Sequence, residues 1–263
     1  MASAEKVNDL LKRDLSKLQL CALQIDGVEY QAEHFVVALG IDQTGEKTIL
    51  GFHQGATENQ QICDQLLANL ADRGLDFRQR FIAVLDGSRA LRASIPKYCG
   101  DRVVVQRCQL HKKRNVKEHF AKQQQPYWDR KLANAYGLAG YQEARQALRQ
   151  VHRELINVNL SAARSLNEGF EETLTVHRLG VPEDLRRTLC TTNPIESAFS
   201  RVRTVCRNVK RWRAGSQRER WIGSALIFAE QRFRRIVGYK SIPKVVAALQ
   251  AYSADSKVAK KTA

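Results

Sequence analysis

Apolar positions recur in two rhythms over the first hundred residues. Leu10, Leu11, Leu15 and Leu18 fall at helical spacing and predict an amphipathic helix over 4–18. LQLCALQI (18–25), HFVVALGI (34–41) and KTILGFHQ (47–54) follow as short runs rich in β-branched residues. They predict three strands, with DQTGE closing a hairpin between the last two. Thr57 is placed to cap a helix that carries Leu66, Leu67 and Leu70 on its apolar face and stops at Gly74. FIAVLD (81–86) and RVVVQ (102–106) predict two further strands, separated by a short helix ending near Pro96. These are the ingredients of an α+β or α/β fold around a five-stranded sheet of mixed pairing.

Beyond Gln106 the strand signal vanishes. Residues 109–178 read as a succession of helices, and 194–251 also read as helical, broken at Arg213-Ala214-Gly215 and at Ser241-Ile242-Pro243. On the helix after Pro194, Ile195, Phe199, Val202 and Val205 turn inward, while Ser197, Arg201, Thr204 and Asn208 form a polar stripe. Of the tryptophans, Trp221 is expected to pack; Trp128 and Trp212 are open to either packing or stacking on distorted bases.

Charge changes the picture. The chain carries 43 Lys and Arg against 27 Asp and Glu, net +16. Residues 1–100 hold 11 basic and 13 acidic side chains, so the other 32 basic and 14 acidic residues lie in 101–263. A surface this basic implies a polyanion partner, because neutralised phosphates release condensed counterions. Arg102, Arg107, Lys112, Lys113, Arg114 and Lys117 form one cationic arm, and Arg201, Arg203, Arg207, Lys210, Arg211 and Arg213 a second. No apolar run reaches the roughly 18 residues needed to cross a bilayer, and the N-terminus has no signal core or cleavage site, so a cytoplasmic protein is expected. The six cysteines are scattered and are expected to be reduced thiols.

The candidate chemistry is acidic. Asp26 and Asp86 each end a predicted strand and each precede a glycine. Carboxylates at the ends of neighbouring strands converge, and at 4 Å they repel by roughly 4 kcal/mol at an effective dielectric of 20. A divalent cation relieves that repulsion and suits phosphoryl transfer. The alternative is that Asp-Gly marks a turn in each case, as it does at Asp42 to Gly45. Glu196 likewise has a capping alternative, with Asn193 as N-cap, Pro194 at N1 and Glu196 at N3.

LQIDGVEY, VLDGSRAL, VQRCQLHKKRNV and TTNPIESAFSRVR, in this order, resemble the landmarks of the Mutator-type bacterial insertion-sequence transposases, from about Leu18 to Arg235. The resemblance implies an RNase H-like mixed five-stranded sheet and a catalytic, metal-binding DDE triad of Asp26, Asp86 and Glu196, with two Mg²⁺ ions that Mn²⁺ can replace. It also implies an all-helical insertion between the second Asp and the Glu, which are 110 residues apart. The expected division is an N-terminal helix (1–17), a catalytic domain (18–108 and 191–240), the insertion (109–190), and a C-terminal helix with a basic tail (241–263). Members usually carry an N-terminal helix-turn-helix region; about twenty-five residues precede Asp26, so most of that region is expected to be missing.

Cys108-x-x-His111 has zinc-ligand spacing, and Cys99, His119 or His53 could complete such a site. In the resembled family this pair stands in the active-site neighbourhood; a buried Cys and His organising a helix start is the other reading. The implied activity is cleavage at transposon ends and joining of the 3′-OH to target duplex DNA, by a homodimer on bacterial nucleoid DNA, with no membrane partner. Rival readings are an RNase H-like nuclease and a truncated, DNA-binding repressor. The phosphate contacts are expected from Arg107, Lys112, Lys113, Arg114, Arg201, Arg203, Arg207, Lys210, Arg211 and Arg213.

Overall fold

The computed structural model describes residues 2–30, 33–55, 59–207 and 216–252. Thr57, Asn208, Lys210, Arg211, Trp212, Arg213, the helix break at 213–215 and the basic tail, all singled out above, lie outside these residues. The chain opens with α1 (Ala2–Lys12), then β1 (Leu20–Tyr30), β2 (Glu33–Asp42) and β3 (Lys47–Gly55). Next come α2 (Gln60–Asp72), β4 (Ile82–Leu85), α3 (Arg89–Cys99) and β5 (Val104–Arg107). The strands form one mixed sheet in the order β3-β2-β1-β4-β5. β1 pairs antiparallel with β2 and parallel with β4, and β5 continues the parallel side.

Alternation of side chains along the strands separates two cores. Ala22, Val28, Val37, Leu39, Ile82 and Val84 point to one face. Leu23, Ile25, Val36, Ala38, Ala83 and Leu85 point to the other, where α2 and α3 cover them. After β5 the chain is helical: α4 (Gln109–Lys117), α5 (Gln125–Gly137), α6 (Tyr141–Val158), α7 (Leu160–Asn167), α8 (Thr175–Arg178) and α9 (Glu183–Leu189). Residues from Val116 to Leu174 build a third core of their own, in which Trp128 stacks on Phe120 at 5.0 Å. Val176, Leu185 and Leu189, by contrast, join the first face of the sheet. That face is completed by α10 (Asn193–Cys206), α11 (Ser216–Glu230) and α12 (Ile242–Ala251).

Several boundaries differ from expectation for physical reasons. The first helix stops at Lys12 rather than 18, because Val7 and Leu10 serve one face of the sheet whereas Leu15 serves the other. Pro96 does not end α3, which runs on to Cys99 because Ile95 and Cys99 are both buried beneath the sheet. Residues 231–238 are not helical. Glu230 is fixed by Arg13 at 2.8 Å and accepts a hydrogen bond from Ile49 N at 2.9 Å, and Ile236 N donates to Gly45 O at 2.9 Å. The segment between is thereby stretched across the β2–β3 hairpin. Trp221, expected to pack, is 38% exposed.

Candidate active site

Sheet register brings the site together. Gln24, Val84 and Gln106 are aligned across β1, β4 and β5. Two residues further along come Asp26, still within β1, and Asp86 and Cys108, which lie just past the ends of β4 and β5. Asp26 does not end its strand as expected: β1 continues to Tyr30, with Asp26 opposite Val37 of β2. The Asp-Gly step here is extended strand. At Asp86 the turn reading holds locally, since Oδ1 accepts a hydrogen bond from Ser88 N at 2.8 Å. Gly87 sits at φ 117°, a conformation that glycine adopts without a Cβ penalty.

Buried glutamines fix the elements that bear the remaining groups. Gln24 Nε2 donates to Thr191 O at 3.1 Å, tying the approach to α10 onto the central strand. Gln106 and Gln109 both donate to Thr173 O, at 2.9 and 2.8 Å, and Gln109 N donates to Cys190 O at 2.9 Å. α10 thus starts directly over β1. Its N-cap is Thr192, not Asn193, and Thr192 makes no side-chain cap bond. Glu196 is therefore in the first turn without closing the expected capping box, and its carboxylate is directed at the site.

Asp26, His111 and Glu196 each offer one ligand atom, and these three atoms lie within 4.8 Å of one another. His111 Nε2 is 3.6 Å from Glu196 Oε1. Burial pushes the Asp26 carboxyl up to about 8, reinforced by the charge of Asp86 and, less strongly, of Glu196; the Thr192 hydroxyl and Gly27 N–H pull the other way. Burial, then the charge of Arg114, holds His111 below its usual range, against the pull of Asp86 and Glu196. The imidazole is therefore neutral near pH 7 and able to act as a ligand. Two oxygen donors and one nitrogen, crowded and electrostatically unrelieved, fit a divalent cation.

Cys108 does not join that group. Its buried sulfur is the N-cap of α4 and accepts from His111 N at 3.5 Å, Thr192 N at 3.4 Å and Thr192 Oγ1 at 3.5 Å. Burial raises its thiol, so it is held neutral. Thr192, which the sequence reading passed over, is the hub. Its hydroxyl also lies 3.4 Å from His111 Nδ1 and 3.4 Å from Glu196 Oε1. The signal was present in the TTNPIES segment, as polar residues immediately before an apolar helix, but its buried position was not.

The cationic residues divide. Arg107 is buried, 7% exposed, and pairs with Glu168 at 3.4 Å and Glu172 at 3.7 Å. Lys112 is 1% exposed and donates to Ser165 O; burial, then Arg107, lowers its ammonium to about 8. Both were expected to face phosphate; instead Arg107 ties β5 to the 168–172 segment, and Lys112 ties α4 to α7 within the helical block. Lys113 pairs with Asp129 at 3.7 Å. Arg114, Arg201, Arg203 and Arg207 are exposed.

Comparison with known proteins adds the decisive observation. Residues 4–233 match the family model described as transposase, Mutator family. The chain belongs to the Mutator family of transposases. Among its curated relatives, the transposase for insertion sequence element IST2 of Acidithiobacillus ferrooxidans is 26% identical over 211 residues, covering 80% of this chain and 69% of the relative. The transposase for IS6120 of Mycolicibacterium smegmatis is 25% identical over 201 residues, 73% of this chain and 59% of the relative. The transposase for IS256 in transposon Tn4001 of Staphylococcus aureus is 25% identical over 193 residues, 73% of this chain and 48% of the relative. This Mutator-family chain therefore spans about half to two thirds of the length of these relatives. No described helix is long and apolar enough to cross a membrane.

Proposed function

We propose that the chain is the catalytic part of a DDE-type transposase of RNase H-like architecture, in which Asp26, Asp86 and Glu196 hold divalent ions. Mg²⁺ is the natural choice, with Mn²⁺ able to replace it. The observation that carries the reading is the convergence of Asp26 and Glu196, 170 residues apart in the chain, in a Mutator-family transposase. Asp86, just past the end of β4, raises the Asp26 carboxyl electrostatically. His111 is a further ligand candidate at the same point.

Bound cations would supply charge neutralisation at the scissile phosphate and activation of the attacking oxygen. The residues supply the frame: β1 holds Asp26, the turn after β4 holds Asp86, and α10, seated on Thr192, holds Glu196. In the first step water attacks the phosphodiester at the transposon end; a new P–O bond forms, the bond to the 3′ oxygen breaks, and that oxygen leaves as a 3′-OH. In the second step that hydroxyl attacks a target phosphodiester and displaces the target's own 3′ oxygen. One phosphodiester replaces another, so no energy source is needed. The helical stretch from 109 to 190 is then the insertion that returns Glu196 to the aspartates. A homodimer working on duplex DNA in the bacterial cytoplasm completes the proposal.

The test is an assay of the full chain on duplexes bearing candidate terminal repeats, with Mg²⁺ or Mn²⁺, resolving cleaved from joined products. Joined products abolished by Asp26→Asn and Glu196→Gln are the expected result. Cleavage without joining would favour a nuclease, and DNA binding with no divalent-ion dependence a repressor.

A further inference from the structure

A second cleft, of about 630 Å³, opens along the stripe of α10 that carries Ser197 and Arg201. Glu196 stands on the adjoining stripe, so cleft and candidate site share one helix turn. The opposite wall is the 231–234 segment, with Arg232, Phe233 and Arg234, and Lys47 from the start of β3 forms the floor. This wall is firmly held. Glu230 anchors one end to Arg13 and Ile49, and Ile236 anchors the other to Gly45.

Four cations thus converge, and none of the side chains lining the cleft is acidic. Among the described residues, Lys47, Arg201, Arg232 and Arg234 form no ion pair with a carboxylate, whereas neighbouring Arg235 pairs with Glu46 at 3.0 Å. Lys47 lies 5.2 Å over the Phe233 ring, an attraction of about 0.5–1 kcal/mol that does not replace a counter-ion. Burial, then the charge of Arg201, holds the Lys47 ammonium below its usual range. Arg232 lies 3.6 Å over the Phe228 ring and donates to Phe228 O at 3.3 Å, contacts that likewise supply no counter-ion. The arginine fork matches phosphate geometry, and charges spread over three elements suit a chain of phosphates better than one.

We propose that this cleft docks the phosphodiester backbone of duplex DNA through Lys47, Arg201, Arg232 and Arg234, beside the candidate active site. The inference rests on the reading that the chain acts on DNA. It adds a specific anchorage that positions a duplex without reading its bases.

The experiment measures binding of the full chain to fluorescent duplexes of arbitrary sequence, without divalent ions, as log K against log salt. The variant is Lys47→Gln, Arg232→Gln, Arg234→Gln; the control removes equal charge on α5 and α6 through Arg130→Gln, Arg149→Gln, Arg153→Gln. Thermal melts establish folding, and the single variant Arg234→Gln serves if the triple variant does not fold. The slope should shrink by about 0.9 for each lost contact, alike for all sequences, while the control changes little. An unchanged slope in the cleft variants, or an equal loss in the control, overturns the proposal. Wild-type chain with no salt-dependent duplex binding overturns both this proposal and the transposase reading; binding that survives the cleft substitutions overturns the cleft alone.

Discussion

The hydroxyl of Thr192 lies 3.4 Å from Glu196 Oε1 and 3.5 Å from the buried sulfur of Cys108, so one side chain joins the start of α10 to the start of α4. The two helices enter the site from opposite ends of a long helical excursion. Thr192 holds them in register over Asp26.

Replacing Thr192 with Val keeps the shape and removes the hydroxyl. If Thr192 positions Glu196 and His111, divalent-ion affinity falls by about 10- to 100-fold, the usual cost of losing a partner behind the ligands. Thr192→Ser should restore it. Titration calorimetry with Mn²⁺ reads the difference, and equal affinity in Thr192→Val and wild type would assign Thr192 to packing.

The raised Asp26 carboxyl makes the fold pH-dependent. Its folded value, about 8, exceeds the ordinary carboxylate value of 3.8. Between those values the unfolded chain has lost a proton that the folded chain keeps, so stability falls as pH rises towards 8. The total is at most of the order of 5 kcal/mol at 1.36 kcal/mol per pH unit. Asp26→Asn removes the dependence and, without divalent ions, raises the Tm at pH 8 by at least about 2–4 °C. Differential scanning calorimetry across pH 5–9 checks it; parallel curves for the two proteins would refute it.

The same proton competes with a cation. Below about pH 8 the apparent affinity for Mn²⁺ should decline, approaching tenfold per pH unit, with proton release on binding. Calorimetry in buffers of different ionisation enthalpy counts that proton. No release at pH 7 would mean that Asp26 is not a ligand.

Arg107 and Arg207 should separate cleanly. Arg107→Ala breaks a buried contact to Glu172 and a half-exposed one to Glu168, and should cost about 2–3 kcal/mol of stability, with the salt slope of DNA binding unchanged. Arg207→Gln leaves stability within about 0.5 kcal/mol and lowers the slope by about 0.9. The opposite pattern would return Arg107 to the DNA surface.

What was legible in the sequence follows the range of the forces involved. The five strands announce themselves because β-branched runs report local packing on a two-sided sheet. The end of β1 was misplaced because Asp26-Gly27 carries a local turn signal, whereas pairing with Val36 and Val37 prevails in the folded chain. Arg107 and Lys112 read as surface charge because their partners Glu168, Glu172 and Ser165 lie more than fifty residues away. The stop after Glu230 was invisible for the same reason, as Arg13 and Ile49 impose it from the far end of the chain. Asp26, Asp86 and Glu196 emerged from the resemblance of their flanking motifs. The contribution of Thr192 needed the three-dimensional contact.

The central claim is that the acidic residues hold divalent ions, and anomalous X-ray scattering from crystals soaked in Mn²⁺ tests it most directly. The account predicts anomalous peaks with oxygens of Asp26 and Glu196 at about 2.1 Å, Asp86 completing the set, and their loss in Asp26→Asn crystals. Crystals of the wild-type chain with no anomalous peak at these carboxylates under saturating Mn²⁺ would contradict it.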